Sequence, residues 1–462
     1  MPTPSRESLM TPTLIFARRS LGWAWCLAAA LVFTACKADS LLKTDNPDVI
    51  DPGALNTAQG ATALYSGALG DFSLAVDGSG LTGPALVEAG AWFTDEARFG
   101  GTPPEVKQMD LRAVREEADA WQEMYLDLHR AREGAERAAQ ALTGFNSKDP
   151  RIGQMYAISA LVHILLAEDY CSGVPFSTTQ PTLTYGAPLT TAQTFQRAIS
   201  RLDQAKQNTN GDTTVTRLEA VLRGRALLDL VKDSTDVAGF AAAAAAVASV
   251  PTSFVYQTFH STATVRQNNF MNTDIFSADR LSVSDHEGTN GLDFASSNDP
   301  RLPVQISTDN PQGVSRFDGV TPMVRFLKYN SLSAPVTHAS GIEARLIEAE
   351  AALAANDATT WLAKLNAARA TLPGLAPLSD PGTRLARVNL MFRERAYWMF
   401  MTGHRLGDLR RLVRQYGRGA ESVFPTGAYH KDNLMRGTDV NIVIPISEKN
   451  NPNFHGCLDR KA

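Results

Sequence analysis

The stretch TRLARVNLMFRERAYWMFMTGHRLGDLRR, Thr383 to Arg411, decides the fold. Leu385, Val388, Phe392, Ala396 and Met399/Phe400 recur every three to four positions, which lays one apolar stripe along a helix. Arg384, Arg387, Arg393 and Glu394 fall mainly on its other faces. The helix runs into Gly403-His404, and a second basic helical piece, Leu406 to Arg414, follows at once. So much apolar surface has to be buried against other helices, and working outward the chain supplies them.

Just upstream, Gly341 to Ala355 and Thr359 to Ala370 read as two helices split by Asn356-Asp357, with Asp357 as N-cap of the second. Their small alanine faces permit close approach, the way tetratricopeptide-like hairpins pack. Asp149-Pro150 opens a helix to about Asp169 that is apolar on most sides and so belongs at the centre; Gly173 and Pro175 end it. Helical patterns also cover Ala54 to Phe72, Glu105 to Leu142, Ala192 to Gln207 behind Thr190/Thr191, Thr214 to Lys232, and Val237 to Val250.

Two regions lose the helical period: the Gly-rich residues 73–104, and residues 251–340, where Asn, Asp, Ser, Thr and Gly surround scattered aromatics. An irregular stretch that long is usually functional or disordered, and the aromatics argue against disorder. Short strands are expected, for example around Val324 to Tyr329. The predicted class is therefore mainly all-α: a tetratricopeptide-like scaffold (54–72, 105–250 and 341–414), a loop-rich ligand region (73–104 and 251–340), and an irregular tail (415–462).

Across 462 residues, 44% apolar and 20% charged content is ordinary for a globular protein, and a net charge of −4 leaves no basic footprint for nucleic acid. The first 35 residues are set apart. Arg18-Arg19 precede an apolar run, Leu21 to Phe33, of signal-peptide length and too short to span a bilayer. Met10 is an alternative start. Phe33-Thr34-Ala35-Cys36 resembles the lipobox of bacterial lipoproteins, which implies cleavage before Cys36, its acylation, and a tether over 36–53 leading to one domain, 54–462. Export leaves Cys171 and Cys457 in an oxidising compartment, where they form either a disulfide or two buried thiols.

No spacing of His or Cys supports a metal site, and no P-loop, G-x-S-x-G or dinucleotide motif supplies a cofactor or nucleophile. Asp95-Glu96 raise a glycosidase reading, but adjacent acids do not set the carboxylate separation that chemistry needs. His404, Arg405, Asp408 and Arg410 are read as structural, satisfying buried helix ends and pairing with acids such as Glu348 and Glu350. Ligand binding is assigned to aromatic and polar residues of the loop regions: Trp92, Phe93, Asp95, Arg98, Phe99, Asn269, Phe270, Phe317 and Tyr329. Flat rings stack on the C–H faces of sugars while amides, acids and guanidinium groups take hydroxyls.

Five segments then occur in a telling order: Glu343-Ala-Arg345-Leu-Ile-Glu348-Ala-Glu350, Arg393-Glu394-Arg395, Gly403-His404-Arg405 with Asp408-Leu-Arg410-Arg411, Ile444-Pro445-Ile446, and Asn451-Pro452-Asn453. This pattern resembles the SusD/RagB family of outer-membrane nutrient-binding lipoproteins. Leu161 to Phe176 and Asp299-Pro300-Arg301 resemble further family elements, while Thr402 stands where the family usually has Glu. The resemblance implies four tetratricopeptide-like hairpins carrying a ligand region. It also implies an outer-membrane lipid anchor, capture of an oligosaccharide or other oligomeric nutrient without catalysis, and a TonB-dependent barrel as partner. A surface glycoside hydrolase and a purely protein-binding scaffold are the alternatives.

Overall fold

In the computed structural model, which describes residues 56–179, 182–309 and 311–462, helices dominate and strands come only in pairs. The signal peptide, Cys36 and the tether lie outside the described residues. In chain order the elements are α1 (Ala58–Asp77), α2 (Leu86–Phe93), β1 (Ala97–Phe99), α3 (Pro104–Asp110), α4 (Asp119–Phe145), α5 (Arg151–Asp169), β2 (Val174–Pro175), β3 (Pro188–Leu189), α6 (Thr191–Gln207), α7 (Thr213–Leu230) and α8 (Val237–Val247). Then follow β4 (Val255–Thr258), α9 (Phe270–Asn272), β5 (Leu281–Val283), β6 (Val304–Ile306), β7 (Val324–Phe326), β8 (Val336–Ser340), α10 (Gly341–Ala354), α11 (Ala358–Arg369), α12 (Arg384–Trp398) and α13 (Arg405–Arg414). Leu55–Ala462 form one compact unit.

The scaffold is a succession of neighbours: α1 on α4, α4 on α5, α5 on α6, α6 on α7, α7 on α8, α8 on α10, and α10 on α11 and α12. Caps set these helices where the sequence places Thr and Asp. Thr190 and Gln193 make a reciprocal capping box at α6, and Asp357 accepts from the Thr360 N–H, 2.9 Å, at α11. The central helix α5 buries sixteen of its nineteen residues, which is why its sequence shows no polar face. No helix among the described residues is long and apolar enough to cross a membrane.

The decisive stretch folds as α12, a break and α13. Val388, Phe392, Ala396 and Phe400 are buried as the stripe requires, but Leu385, in the first turn of α12, is 67% exposed. Met401 (φ 51°) and Gly403 (φ 74°) take left-handed backbone at the break, a conformation glycine adopts at no steric cost. Residues 73–104 are more ordered than their composition suggests. α1 continues to Asp77, and α2, LVEAGAWF, is buried on every side, so no amphipathic period marks it. The single helix expected over Glu105 to Leu142 is two, α3 and α4, parted at Arg112 (φ 55°). Arg112 is fully buried and donates to the carbonyls of Pro425, 2.6 Å, and Asp439, 2.9 Å.

Strands pair antiparallel as β1–β5, β2–β3, β4–β8 and β6–β7. The tail is irregular but packed. Ile442 and Ile444 are buried, and Ile442 exchanges backbone bonds with Asp169 (2.8 Å) and Cys171 (2.9 Å) at the end of α5. Cys171 and Cys457 are joined by a disulfide, Cα to Cα 5.9 Å, closing 286 residues of chain.

Candidate functional site

The charged motif of α12 and α13 is an internal ion-pair lattice. Arg395 lies 2.9 Å from Asp408, Arg411 pairs with Asp408 and Glu350, and Arg405 clasps Asp95 through two bonds of 2.6 and 2.8 Å. Arg301 of Asp299-Pro300-Arg301 bridges Asp299 and Glu394, 2.7 Å each. Arg410 donates to the carbonyls of Ala167, Glu168 and Tyr170, the unpaired acceptors where α5 ends. Glu348 pairs with Arg345 and Lys364 on α10 and α11, and Arg393 with Asp293. Glu343 lies 3.4 Å from His404. These groups hold helices and loops together; none of them forms a nucleophile–base pair.

Most of the loop residues assigned to ligand belong to this frame too. Trp92, Phe93, Asp95, Phe99, Asn269, Phe270 and Tyr329 are all buried. Trp92 and Phe99 pack edge to face, the Asn269 amide donates to the Ala334 carbonyl at 2.8 Å, and the Tyr329 hydroxyl donates to the Met401 carbonyl at 2.8 Å. In this conformation their rings offer no face to a ligand: loops this long need a core of their own, and these side chains build it. Arg98 is half-buried against Glu287 and the Asp285 carbonyl. Only Phe317 keeps an open face, 48% exposed, with Arg280 4.9 Å above its ring.

Asp95 and Glu96 are equally internal. Burial pushes the Glu96 carboxyl up to about 8, against the opposing pull of the Met401 N–H and Arg405. A neutral buried acid stabilises the fold below the ordinary carboxylate range, and that contribution is lost as pH rises through its raised value. Glu96→Gln, which keeps the acceptor for Met401 (2.9 Å), is therefore expected to flatten the decline in melting temperature between pH 5 and pH 8. An unchanged decline in thermal scans across that range would remove Glu96 as its source.

An open concavity lies elsewhere, between α1, the start of α5, β4 and the segment 259–267. It has a volume of about 720 Å³, within the usual range of ligand pockets. Along its floor the Tyr65 hydroxyl donates to the Gln154 carbonyl, 2.8 Å, and the Gln154 amide donates to the Tyr256 hydroxyl, 2.8 Å. Burial raises both phenols, Tyr256 to about 12, so at neutral pH they are hydroxyls and the floor is uncharged. Phe259, 81% exposed, stands at the rim beside an Asp71–Arg266 pair of 2.8 Å. Beneath the rim, Asp77 at the end of α1 accepts from Thr258 (2.5 Å) and faces His260 (3.3 Å) and His338 (3.5 Å). Burial opposes ionisation of Asp77, but His338 and His260 outweigh it and hold the carboxyl well below the usual range. The 259–267 wall is thus anchored at Asp77 and at Asp71.

Tyr256 and Phe259 belong to the loop aromatics seen in the sequence but not to the nine residues assigned to ligand, and Tyr65, Gln154 and Arg266 were not singled out. Phe259 carried a signal, a large aromatic ahead of the polar run His260 to Asn269; Tyr65 and Gln154 carried none, since both sit in helices read as scaffold.

Stacked helical hairpins hold out a loop-walled groove with an uncharged floor. No protein-family model and no curated protein matches the chain. Solved structures do. A SusD superfamily protein from Parabacteroides distasonis ATCC 8503 aligns with 14% identity over 86% of this chain and 98% of its own, TM-score 0.63. One from Bacteroides thetaiotaomicron VPI-5482 aligns with 13% identity over 87% and 99%, TM-score 0.63. A SusD-like carbohydrate binding protein from Bacteroides vulgatus ATCC 8482 aligns with 14% identity over 76% and 82%, TM-score 0.55. The chain has the SusD fold.

Proposed function

We propose that the protein is a SusD-like carbohydrate-binding protein that captures an oligosaccharide in the groove between α1 and β4 without cleaving it. The observation that carries this reading is the groove itself: an uncharged floor of phenol and amide groups beneath an exposed Phe259, on a fold shared with a structure described as carbohydrate-binding. The floor suits neutral hydroxyls. Tyr256 accepts from Gln154 and retains its own proton to donate, while Phe259 offers a ring for C–H stacking. Asp95 and Glu96, the acids that raised the glycosidase reading, are buried away from the groove.

The remaining parts of the proposal follow the sequence resemblance. Acylated Cys36 tethers the domain to the outer membrane facing outward, and the bound glycan passes to a TonB-dependent barrel beneath it. Titration of the full chain against an oligosaccharide panel tests the binding step. Phe259→Ala and Tyr256→Phe are each expected to weaken the best ligand about 2- to 13-fold, the worth of one stacking contact or one hydrogen bond of this kind. Affinities unchanged in both variants would place the ligand elsewhere, and accumulation of cleaved product would replace binding with hydrolysis.

A further inference from the structure

Three residues from three elements meet on the floor of the groove, and one of them decides what the other two can offer. Tyr65 comes from α1, Gln154 from the start of α5 and Tyr256 from β4. The backbone beside Gln154 is tightly placed: an added Cβ on Gly153 would lie 2.7 Å from the Asn208 carbonyl and 2.9 Å from that of Ala205. Arg151, 5.3 Å above the Tyr65 ring, is itself paired with Asp149 at 2.6 Å. Of the residues lining the groove only Asp71 and Arg266 are charged, and they neutralise each other at 2.8 Å.

A phenol carries one proton and lone pairs, whereas a primary amide has donors on its nitrogen and an acceptor on its oxygen. The Tyr65 hydroxyl donates to Gln154 Oε1 at 2.8 Å and is left with lone pairs alone. The Tyr256 hydroxyl accepts from Gln154 Nε2 at 2.8 Å and keeps its own proton. Burial raises both phenols, Tyr256 to about 12, so neither ionises at neutral pH. The floor thus carries one free donor, at Tyr256, and an acceptor at Tyr65. Only the amide between them makes the two phenols differ.

We infer that Gln154 is a positioning residue for glycan binding: it fixes Tyr256 as the donor of the floor and Tyr65 as its acceptor, so that a neutral sugar docks through two of its hydroxyls, one accepting from Tyr256 and the other donating to Tyr65. A sugar hydroxyl both gives and takes, so one class of group answers both phenols. A carboxylate brings acceptors alone and an ammonium brings donors alone, and each leaves one phenol unanswered. The inference rests on the glycan-binding reading above and adds the residue that sets the polarity of the floor.

The test is calorimetric titration of the full chain with maltotetraose, cellotetraose, xylotetraose and chitotetraose, and with tetragalacturonate as the acidic control. The tightest neutral tetramer then serves as the probe. Gln154→Glu keeps the shape but presents acceptors at both ends, so both phenols donate inward and the floor loses its free proton. At pH 7 this variant is expected to bind the probe about 2- to 13-fold more weakly. Tyr256→Phe costs about as much in the unaltered chain and is expected to cost nothing further in the Gln154→Glu background. As pH falls to 3.5 the introduced carboxyl takes up a proton and again offers one O–H and one carbonyl. The affinity of the variant relative to the unaltered chain is therefore expected to recover, and the ratio cancels titration at Asp71, Asp77, His260 and His338. A merely structural role for Gln154 predicts neither result. Melting curves at both pH values check folding. Should Gln154→Glu fail to fold, Tyr65→Phe combined with Tyr256→Phe decides: without Tyr65 the amide carbonyl turns to the Tyr256 proton, so the double variant is expected to lose less than the product of the two single losses. Tyr256→Phe costing the same in both backgrounds, no recovery at low pH, or tetragalacturonate binding more tightly than every neutral tetramer overturns the role of Gln154. If instead Tyr256→Phe and Phe259→Ala both leave the unaltered affinity intact, or no tetramer binds, the groove reading fails and takes this one with it.

Discussion

Asp95→Ala is expected to destabilise the folded protein by about 3–5 kcal/mol, the usual cost of removing one partner from a buried ion pair. Asp95 takes both bonds from Arg405 and a third from the Leu292 N–H at 3.0 Å, so one side chain ties α13, the strand-leading segment after α2 and the 285–295 loop. Both charged groups are almost fully enclosed. Without the carboxylate, the Arg405 guanidinium is left in the interior with the Phe294 ring, 5.9 Å away, as its aromatic neighbour. Pairing Asp95→Ala with Arg405→Leu removes the stranded charge and is expected to recover a large part of the loss, because an apolar replacement of a whole buried pair is often close to neutral. Urea unfolding of the single and double variants measures this. A single variant within about 0.5 kcal/mol of the parent, the ordinary range of surface substitutions, would show that the clasp does not hold the fold.

The second large effect concerns the tail. Reducing the Cys171–Cys457 bond, or replacing both cysteines by serine, is expected to lower stability by about 2–5 kcal/mol, toward the upper end because a crosslink over 286 residues constrains the unfolded chain strongly. The loss has a place as well as a size. Ser172 exchanges backbone bonds with Leu458 (2.8 Å) and Asp459 (3.1 Å), and these lie next to the crosslink. Amide exchange in the reduced protein is expected to rise first at Leu458 and at Ser172, ahead of α5. Uniform exchange, or an unchanged urea midpoint after reduction, would mean that packing of Ile442 and Ile444 alone retains the tail.

These two cases also show what the sequence made legible. Val388, Phe392 and Ala396 announced α12 because a helix packed on one side must carry its apolar residues at that spacing. The Gly-Pro ending of α5 and the caps Thr190 and Asp357 were readable for the same reason: local backbone chemistry demands those residues there. α2 was not readable, since burial on all sides erases the period. The candidate site was harder still. Trp92, Phe99 and Tyr329 looked like ligand aromatics by region, but an aromatic in a long loop faces either the ligand or the loop's own core, and only packing decides which. The groove draws Tyr65 from α1, Gln154 from α5 and Tyr256 from β4, residues 65, 154 and 256, brought together by tertiary contacts that no local pattern encodes. The charged residues of Arg393 to Arg411 were recognisable as structural, and of the two acids expected to pair with them Glu350 does, with Arg411, while Glu348 pairs with Arg345 and Lys364; Asp95, Arg301 and Glu343, tens to hundreds of positions away, were not recognisable as partners.

The central claim is that a stack of helical hairpins presents a groove between α1 and β4 that holds a glycan intact. A crystal structure of the full chain grown with its tightest-binding oligosaccharide tests it most directly. The expected result is an uncleaved chain of sugar rings lying in that groove, one ring against Phe259 and a hydroxyl within hydrogen-bond distance of Tyr256. Sugar bound over Phe317 or on another face, or a shortened product in the density, would contradict it.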